Sequence, residues 1–295
     1  FLGGTVKSGV NYNLSDKHNV YINGGYFSQQ PIFDNVFLNN TNTVNDNAEN
    51  QKVYAIEFGY GFRSQFAAVN INAYNTEWTD RQISRNTQVN GQDGTANFFG
   101  VGQLHQGVEV DLTISPVQKL TITGMFSMGN WRYKDDFKAS VYNDSQQLIG
   151  ELELFMKDVK IPDAAQTTFN IGADYQIIKG LKIYGSYYYA DKIYADFNVA
   201  TDASFLTPGN QSWQIPSYDL VDAGASYSFK LGSVDLLLRL NVNNLMDKEY
   251  ITESETNILY NAATETNKIG DNGSTRNVVY YGFGRTWNAG LKVRF

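Results

Sequence analysis

Eleven segments of this 295-residue chain alternate apolar and polar side chains, over the lengths at which a tilted strand crosses a bilayer, about 9 to 11 residues or more. They lie near 2–14, 19–29, 51–63, 66–79, 104–115, 119–133, 165–177, 181–194, 217–230, 233–244 and 281–295. Side chains on a strand have period two, so each segment carries one apolar and one polar face. The connections alternate as strictly as the side chains. The short ones, Ser15-Asp16-Lys17-His18, Ser64-Gln65, Pro116-Val117-Gln118, Ile178-Lys179-Gly180 and Leu231-Gly232, are made of turn-forming residues. The long ones cover about 30–50, 80–103, 134–164, 195–216 and 245–280. This pattern predicts an all-β chain of antiparallel hairpins, with tight turns at one end and extended loops at the other.

The segment Val234 to Asn243 decides which face meets which solvent. Val234, Leu236, Leu238, Leu240 and Val242 share one face; Asp235, Leu237, Arg239, Asn241 and Asn243 share the other. Placing the second face in lipid would cost about 2–4 kcal/mol for Arg239 alone near the midplane. The same test turns Val108, Val110, Leu112 and Ile114 outward with Glu109 and Asp111 inward, and Phe169, Ile171, Ala173 and Tyr175 outward with Asn170 and Asp174 inward. A soluble β-sandwich also alternates, but its strands average about 5 to 6 residues and its apolar face is the inner one. The expected fold is an antiparallel transmembrane β-barrel with a polar lumen. Tyr187, Tyr188, Tyr189, Trp131, Tyr133 and Trp287 are expected in its interfacial aromatic girdles.

Composition narrows the function. No run reaches the roughly 18 apolar residues of a membrane-spanning helix, and Tyr 20, Phe 18 and Gly 26 against Pro 5 favour strands. A net charge of -7 without a basic cluster argues against nucleic acid as a partner. The chain has no Cys, which removes disulfides and thiolate metal ligands. Its two histidines, His18 and His105, are far apart in sequence, and no calcium-loop spacing is present, so neither a metal site nor a cofactor is expected. His105 and Glu109 share a strand face but stand about 13 Å apart, beyond a base–nucleophile contact. His18 is expected to be a solvated turn residue, and no catalytic residue is assigned.

Three motifs carry a family resemblance. They are Leu104-His105-Gln106-Gly107-Val108-Glu109-Val110-Asp111, then Asn241-Val242-Asn243-Asn244-Leu245-Met246-Asp247-Lys248-Glu249-Tyr250, then Tyr281-Gly282-Phe283-Gly284-Arg285-Thr286-Trp287. In this order, ahead of a terminal Phe, they resemble the C-terminal half of the β-barrel of a TonB-dependent outer-membrane receptor, especially those of Bacteroidetes-type bacteria. The last strand also resembles the C-terminal signal read by the barrel-assembly machinery, at Asn288, Gly290, Val293 and Phe295. The resemblance implies a bacterial outer-membrane location, a 22-stranded barrel around an N-terminal plug, and TonB-driven uptake of a scarce ligand: ferric siderophore, haem, cobalamin, glycan or peptide. Eleven strands are half of that barrel. Residues 1–295 are thus expected to be its C-terminal part, with the plug, the TonB-contacting segment and the earlier strands upstream. Implied partners are outer-membrane lipid, the plug, the TonB complex, the assembly machinery and a small-molecule, glycan or peptide ligand.

A free-standing bacterial barrel has an even strand count, and an odd count fits a fragment. The alternative is a passive porin-like or adhesin barrel of about 12 strands, with Val141-Tyr142 and Leu148 to Leu152 forming an overlooked hairpin. On either reading, Glu109, Asp111, Asp174, Asp222, Asp235, Arg239, Asn241 and Asn243 are the candidates for the lumen or plug-facing surface. The carboxylates among them are expected to contact the plug or line a transport path, or else to pair with Lys7, Lys230, Arg239 and Lys292 around a hydrated wall. Asn243, Asn244 and Asp247 are expected to turn the chain rather than touch ligand. The long loops carry Asn35, Asn39, Asn40, Trp213, Tyr260, Asp271 and Asn272, chemistry that could grip a sugar, a siderophore or a peptide, although most such loop residues are expected to be simply solvated.

Overall fold

A computed structural model of the chain describes residues 1–37, 42–197, 203–256 and 277–295. In chain order its strands are β1 (Gly4–Ser15), β2 (His18–Gln29), β3 (Gln51–Arg63), β4 (Ala67–Val89), β5 (Gln92–Val117), β6 (Leu120–Tyr133), β7 (Phe137–Tyr142) and β8 (Leu148–Leu154). They continue with β9 (Thr167–Ile178), β10 (Leu181–Asp191), β11 (Ile193–Tyr194), β12 (Asp196–Phe197), β13 (Gln214–Ile215), β14 (Tyr218–Leu231), β15 (Val234–Asn243), β16 (Ile251–Thr256), β17 (Val278–Tyr281) and β18 (Thr286–Arg294). Thirteen of them form one antiparallel sheet, in which eleven follow the order β1-β2-β3-β4-β5-β6-β9-β10-β14-β15-β18 and β7 and β8 branch from β5. These are the eleven segments that alternation marks out. The tight turns gather at one end of the sheet, together with the chain's last residue, Phe295, and the long connections gather at the other.

Register carries the alternation from strand to strand. Ile22, Phe58, Ala73, Val108 and Met128 are successive cross-strand partners on the apolar face. Among the described residues no layer covers that face: Phe58 is 54% exposed, Ile171 44% and Leu240 48%. A soluble sheet would have its core there, whereas this one presents the side chains that suit hydrocarbon. On the opposite face, Thr121, Asp174, Tyr184, Gly224, Asn241 and Asn288 are successive partners across six strands.

Two hydrogen bonds tie part of that polar row together. The Tyr184 hydroxyl reaches over β14 to donate to Asn241 Oδ1, and Asn241 Nδ2 donates to Asn288 Oδ1 at 2.8 Å. The bridge exists because residue 224 has no side chain, since a Cβ there would sit 2.3 Å from the Tyr184 ring. Tyr21 likewise lies across Gly59, where a Cβ would fall 1.9 Å from the ring, and directs its hydroxyl to Glu57 at 3.2 Å. Glycine in these strands leaves room for an aromatic from the neighbouring strand to lie flat on the backbone.

The buried core lies at the long-connection end of the sheet, around the outer parts of β5, β6 and β10. One cluster joins Phe98 and Val101 of β5, Tyr133, Phe137 and Val141, Leu154, Met156 and Val159, and Phe197 and Phe205. A second joins Ala190, Ile193, Ala195, Trp213 and Ile215. The described parts of the connections that follow β4, β6, β10 and β15 therefore pack into a folded lobe at one end of the sheet.

This lobe corrects several expectations. The 80–103 loop is instead a continuation of the β4–β5 ladder, bulged between Trp78 and Ile83 and closed at Asn90-Gly91, whose φ values of 53° and 78° fit a two-residue hairpin turn. The hairpin foreseen within 134–164 forms as β7 and β8. It pairs with the outer part of β5, Thr95 to Phe98, and adds no strand to the eleven. Tyr133 is 3% exposed inside the lobe core, so it belongs to no interfacial girdle, and Trp213 at 4% is packing rather than a free ligand contact. Residues 281–285 do not begin the last strand; Tyr281 ends β17, which pairs with β16. His18 accepts or donates a 2.7 Å hydrogen bond with the Tyr60 hydroxyl and packs on Phe62, so it is a held turn residue rather than a solvated one. Asn39, Asn40, Tyr260, Asp271 and Asn272 lie outside the described residues.

Gly224→Val should drive Tyr184 off its bridge and lower the unfolding free energy by about 1–3 kcal/mol, as overpacking does, and adding Tyr184→Ala should recover part of the loss. Denaturant titration of the full-length protein in lipid vesicles measures both; an unchanged midpoint for Gly224→Val would contradict the packing described.

Candidate functional site

All eight polar candidates fall on one face of the main sheet, in the rows that register defines. The structure engages them unequally. Asn241 sits in the Tyr184 bridge, Asn243 Nδ2 donates to Thr286 Oγ1 at 3.2 Å, and Asp222 Oδ1 accepts the Asn244 backbone N–H at 2.8 Å. Of the expected carboxylate–cation pairs, Lys230–Asp235 forms, at 3.4 Å. Lys7 instead places its ammonium 4.8 Å from the Phe27 ring centroid. Glu109, Asp111, Asp174 and Arg239 have no ion pair among the described residues, which leaves them as charges lining the face. His105 lies against Trp131 with ring centroids 5.5 Å apart, and its Nε2 is 3.5 Å from Gln103 Oε1.

The motif from Asn241 to Tyr250 is a clasp. Asn244, at φ 48°, ends β15 in a left-handed conformation that Asn tolerates. Its Oδ1 accepts the Lys248 N–H at 2.8 Å, while its Nδ2 donates to the carbonyls of Lys248 at 2.8 Å and Phe283 at 3.2 Å. Asp247, at φ 55°, accepts the Arg285 N–H at 2.8 Å and pairs with its guanidinium at 3.6 Å. Tyr250 covers Gly282 and packs on Tyr218 at 4.5 Å, and Lys248 pairs with Asp219. The second and third sequence motifs thus grip each other and set where β18 begins. Asn244 and Asp247 turn the chain, as their residue types suggest.

Above the polar face, the lobe encloses a cleft of about 730 Å³ that no single sequence segment announces. Arg81, just beyond the last β3–β4 pair, Lys52 with Thr79, supplies one wall. Its guanidinium donates to Gln103 Oε1 and lies 5.2 Å from the Trp78 ring. Arg85 pairs with Asp196 at 3.1 Å and lies over Phe197. Ser84 donates to Asn97 Oδ1 at 2.9 Å. Asp144 and Asp163 also line the cleft, and Ile83, Ile161 and Pro162 supply its apolar patches. Burial lowers the Arg81 pKa. Asp163 is held at φ 66° with its N–H bonded to the Tyr194 carbonyl at 3.0 Å. Protein packed around its carboxyl, together with Asp196, Glu253 and Glu255 nearby, pushes its pKa up to about 6 against the opposing pull of Arg85, although solvent still reaches the group. Among the described residues no three His, Asp or Glu side chains come together as a metal site. Sequence reasoning missed the cleft because its charged residues come from four separate segments; the one local signal was the Asn90-Gly91 turn, which makes β4 and β5 long enough to build its wall.

Two outcomes test these contacts. Asn244→Ala removes three side-chain hydrogen bonds from a strained position. It should cost about 1–3 kcal/mol and speed proteolysis within 245–285, whereas Asn244→Gly relieves the φ strain and should fall between wild type and the Ala variant. Asp163 gains its proton more readily folded than unfolded, so lobe stability should fall as pH rises from about 4 to 6 and level off above that. Hydrogen exchange across 155–166 should follow this profile, and Asp163→Asn should flatten it.

The family described as "TonB dependent receptor-like, beta-barrel" matches residues 4–245. The probable TonB-dependent siderophore receptor PiuA of Acinetobacter baumannii is 24% identical over 264 residues, which are 85% of this chain and 31% of that protein. The crystal structure of PiuA superposes with a TM-score of 0.66 at 17% identity, covering 98% of this chain and 35% of the other. The ferric-catecholate import receptor Fiu of E. coli K12 gives 0.62 at 17% identity, covering 97% and 34%. The copper transporter OprC gives 0.61 at 15% identity, covering 97% and 38%. The chain spans about a third of the length of these relatives. With a family match across most of its length and the same strand architecture, the chain belongs to the TonB-dependent receptor β-barrels of the outer membrane.

Proposed function

We propose that this chain forms part of the wall and the outer ligand-capturing lobe of a receptor that takes up a scarce ligand across the outer membrane with energy from the TonB complex. The observation that carries the reading is the polar face, on which Glu109, Asp111, Asp174 and Arg239 have no ion pair among the described residues, running below a folded lobe that holds a cleft. The relatives support it. PiuA is described as a siderophore receptor, Fiu as a ferric-catecholate receptor and OprC as a copper transporter, so the family frame fits while the cargo differs between members. The ligand here belongs among ferric siderophores, haem, cobalamin, glycans and peptides.

On this reading the apolar face meets outer-membrane lipid, and companion strands of the same protein pair with the outer edges of β1 and β18. An N-terminal plug rests against the polar face, where the eight candidate residues contact it or line the passage. Asn288, Gly290, Val293 and Phe295 serve as the signal for the barrel-assembly machinery, with Phe295 fully exposed beyond the last strand. Ligand caught by the lobe is released to the interior when the TonB complex displaces the plug. The role is transport rather than catalysis.

Bilayer conductance and cellular uptake together test this. The full-length protein should be nearly silent as a channel, and uptake of its cargo should vanish without a functional TonB complex. A steady, large open pore with TonB-independent uptake would support the passive barrel instead, although β7 and β8 do not supply that reading's twelfth wall strand.

A further inference from the structure

We infer that the cleft takes a dipolar ligand, of amino-acid or peptide character, whose anionic end meets Arg81 and whose ammonium end meets Asp163. This rests on the reading of the cleft as the capture site. Both side chains line the same cavity of about 730 Å³, a size within the usual range of small-ligand pockets. Neither has an ion-pair partner among the described residues. The other cation in the cavity, Arg85, is committed to Asp196 at 3.1 Å.

The two free charges are held in different ways. Arg81 is fixed by one hydrogen bond to Gln103 and by the Trp78 ring, which leaves further N–H donors of its planar fork for a carboxylate. Asp163 is set by the backbone bond to Tyr194 and faces a region made acidic by Asp196, Glu253 and Glu255, with Arg85 as the opposing charge, and Asp144 on the cleft lining. A purely anionic ligand would meet Asp144, Asp163 and Asp196 as well as Arg81. A purely cationic one would meet both arginines. A ligand with separated opposite charges avoids both repulsions, and Ile83, Ile161 and Pro162 offer apolar surface to the body between its ends.

Saturation-transfer NMR on the purified full-length receptor at pH 7.5, with the tripeptide Ala-Leu-Ala as probe, tests the inference. Four forms are compared: the zwitterion, the N-acetylated, the C-amidated and the doubly capped peptide. The zwitterion should bind saturably, and each single cap should weaken binding at least fivefold. Arg81→Gln should erase the preference for the free carboxylate while keeping that for the free amine, and Asp163→Asn should do the reverse. Equal binding of all four forms, no saturable binding of the zwitterion, or preferences that persist in the variants would overturn the proposal. Should a variant fail to fold, the four peptides on wild-type protein decide the matter alone. Indifference to the caps in a receptor that still shows TonB-dependent uptake would sink only this inference; the predicted pattern in an open, TonB-independent pore would sink only the uptake reading.

Discussion

The constraint beneath the whole molecule is the period of two along each strand, locked between strands by the hydrogen-bonded ladder. A slip of one residue would exchange the faces of an entire strand. In β15 that would carry Asp235, Arg239, Asn241 and Asn243 into hydrocarbon and break the bond from Asn241 to Asn288. Every feature of the main sheet follows from avoiding this exchange. The aliphatic rows stay continuous from strand to strand, the polar rows stay opposite them, and glycines sit where a tyrosine must cross a neighbour to reach its partner.

The lobe solves a different problem. Its segments leave the sheet at the end away from the tight turns, where water replaces lipid, and exposed apolar side chains there would be costly. They gather into a core of their own, with Tyr133 packed edge-on to Phe137 and Phe197. The prolonged β4–β5 hairpin is its scaffold, because β7 adds to the outer part of β5 and β8 adds to β7. Arg81 and Arg85 project from that scaffold, so the same extension that nucleates the core also carries cations into the cleft.

Much of the sheet was legible from sequence because alternation is a local signal and recurs on every strand. The boundaries of β3 agree to the residue, and those of β9 and β15 to within two. Expectation stopped where structure became non-local. Tyr133 and Trp213 are aromatics near strand ends, a position shared by interfacial girdles and by buried lobe cores, and only the partners from other segments tell the two apart. The clasp around Asn244 was readable as a turn, but its grip on Phe283 and Arg285 joins residues about forty positions apart. The cleft was least legible of all. Arg81, Asp144, Asp163 and Asp196 are unremarkable polar residues until the lobe folds them around one space.

The separation of an uncovered sheet from a lobe with its own core bears on how the protein responds to heat. Apolar surface that moves from protein interior to water on unfolding produces the large positive heat capacity of a soluble domain. The lobe buries such surface and the main sheet does not, since its aliphatic face is already turned outward. Melting of the lobe should therefore carry the curvature of a globular domain, while loss of the sheet is governed by its ladders and its lipid contacts. A single midpoint for this molecule would merge two transitions of different thermodynamic kind.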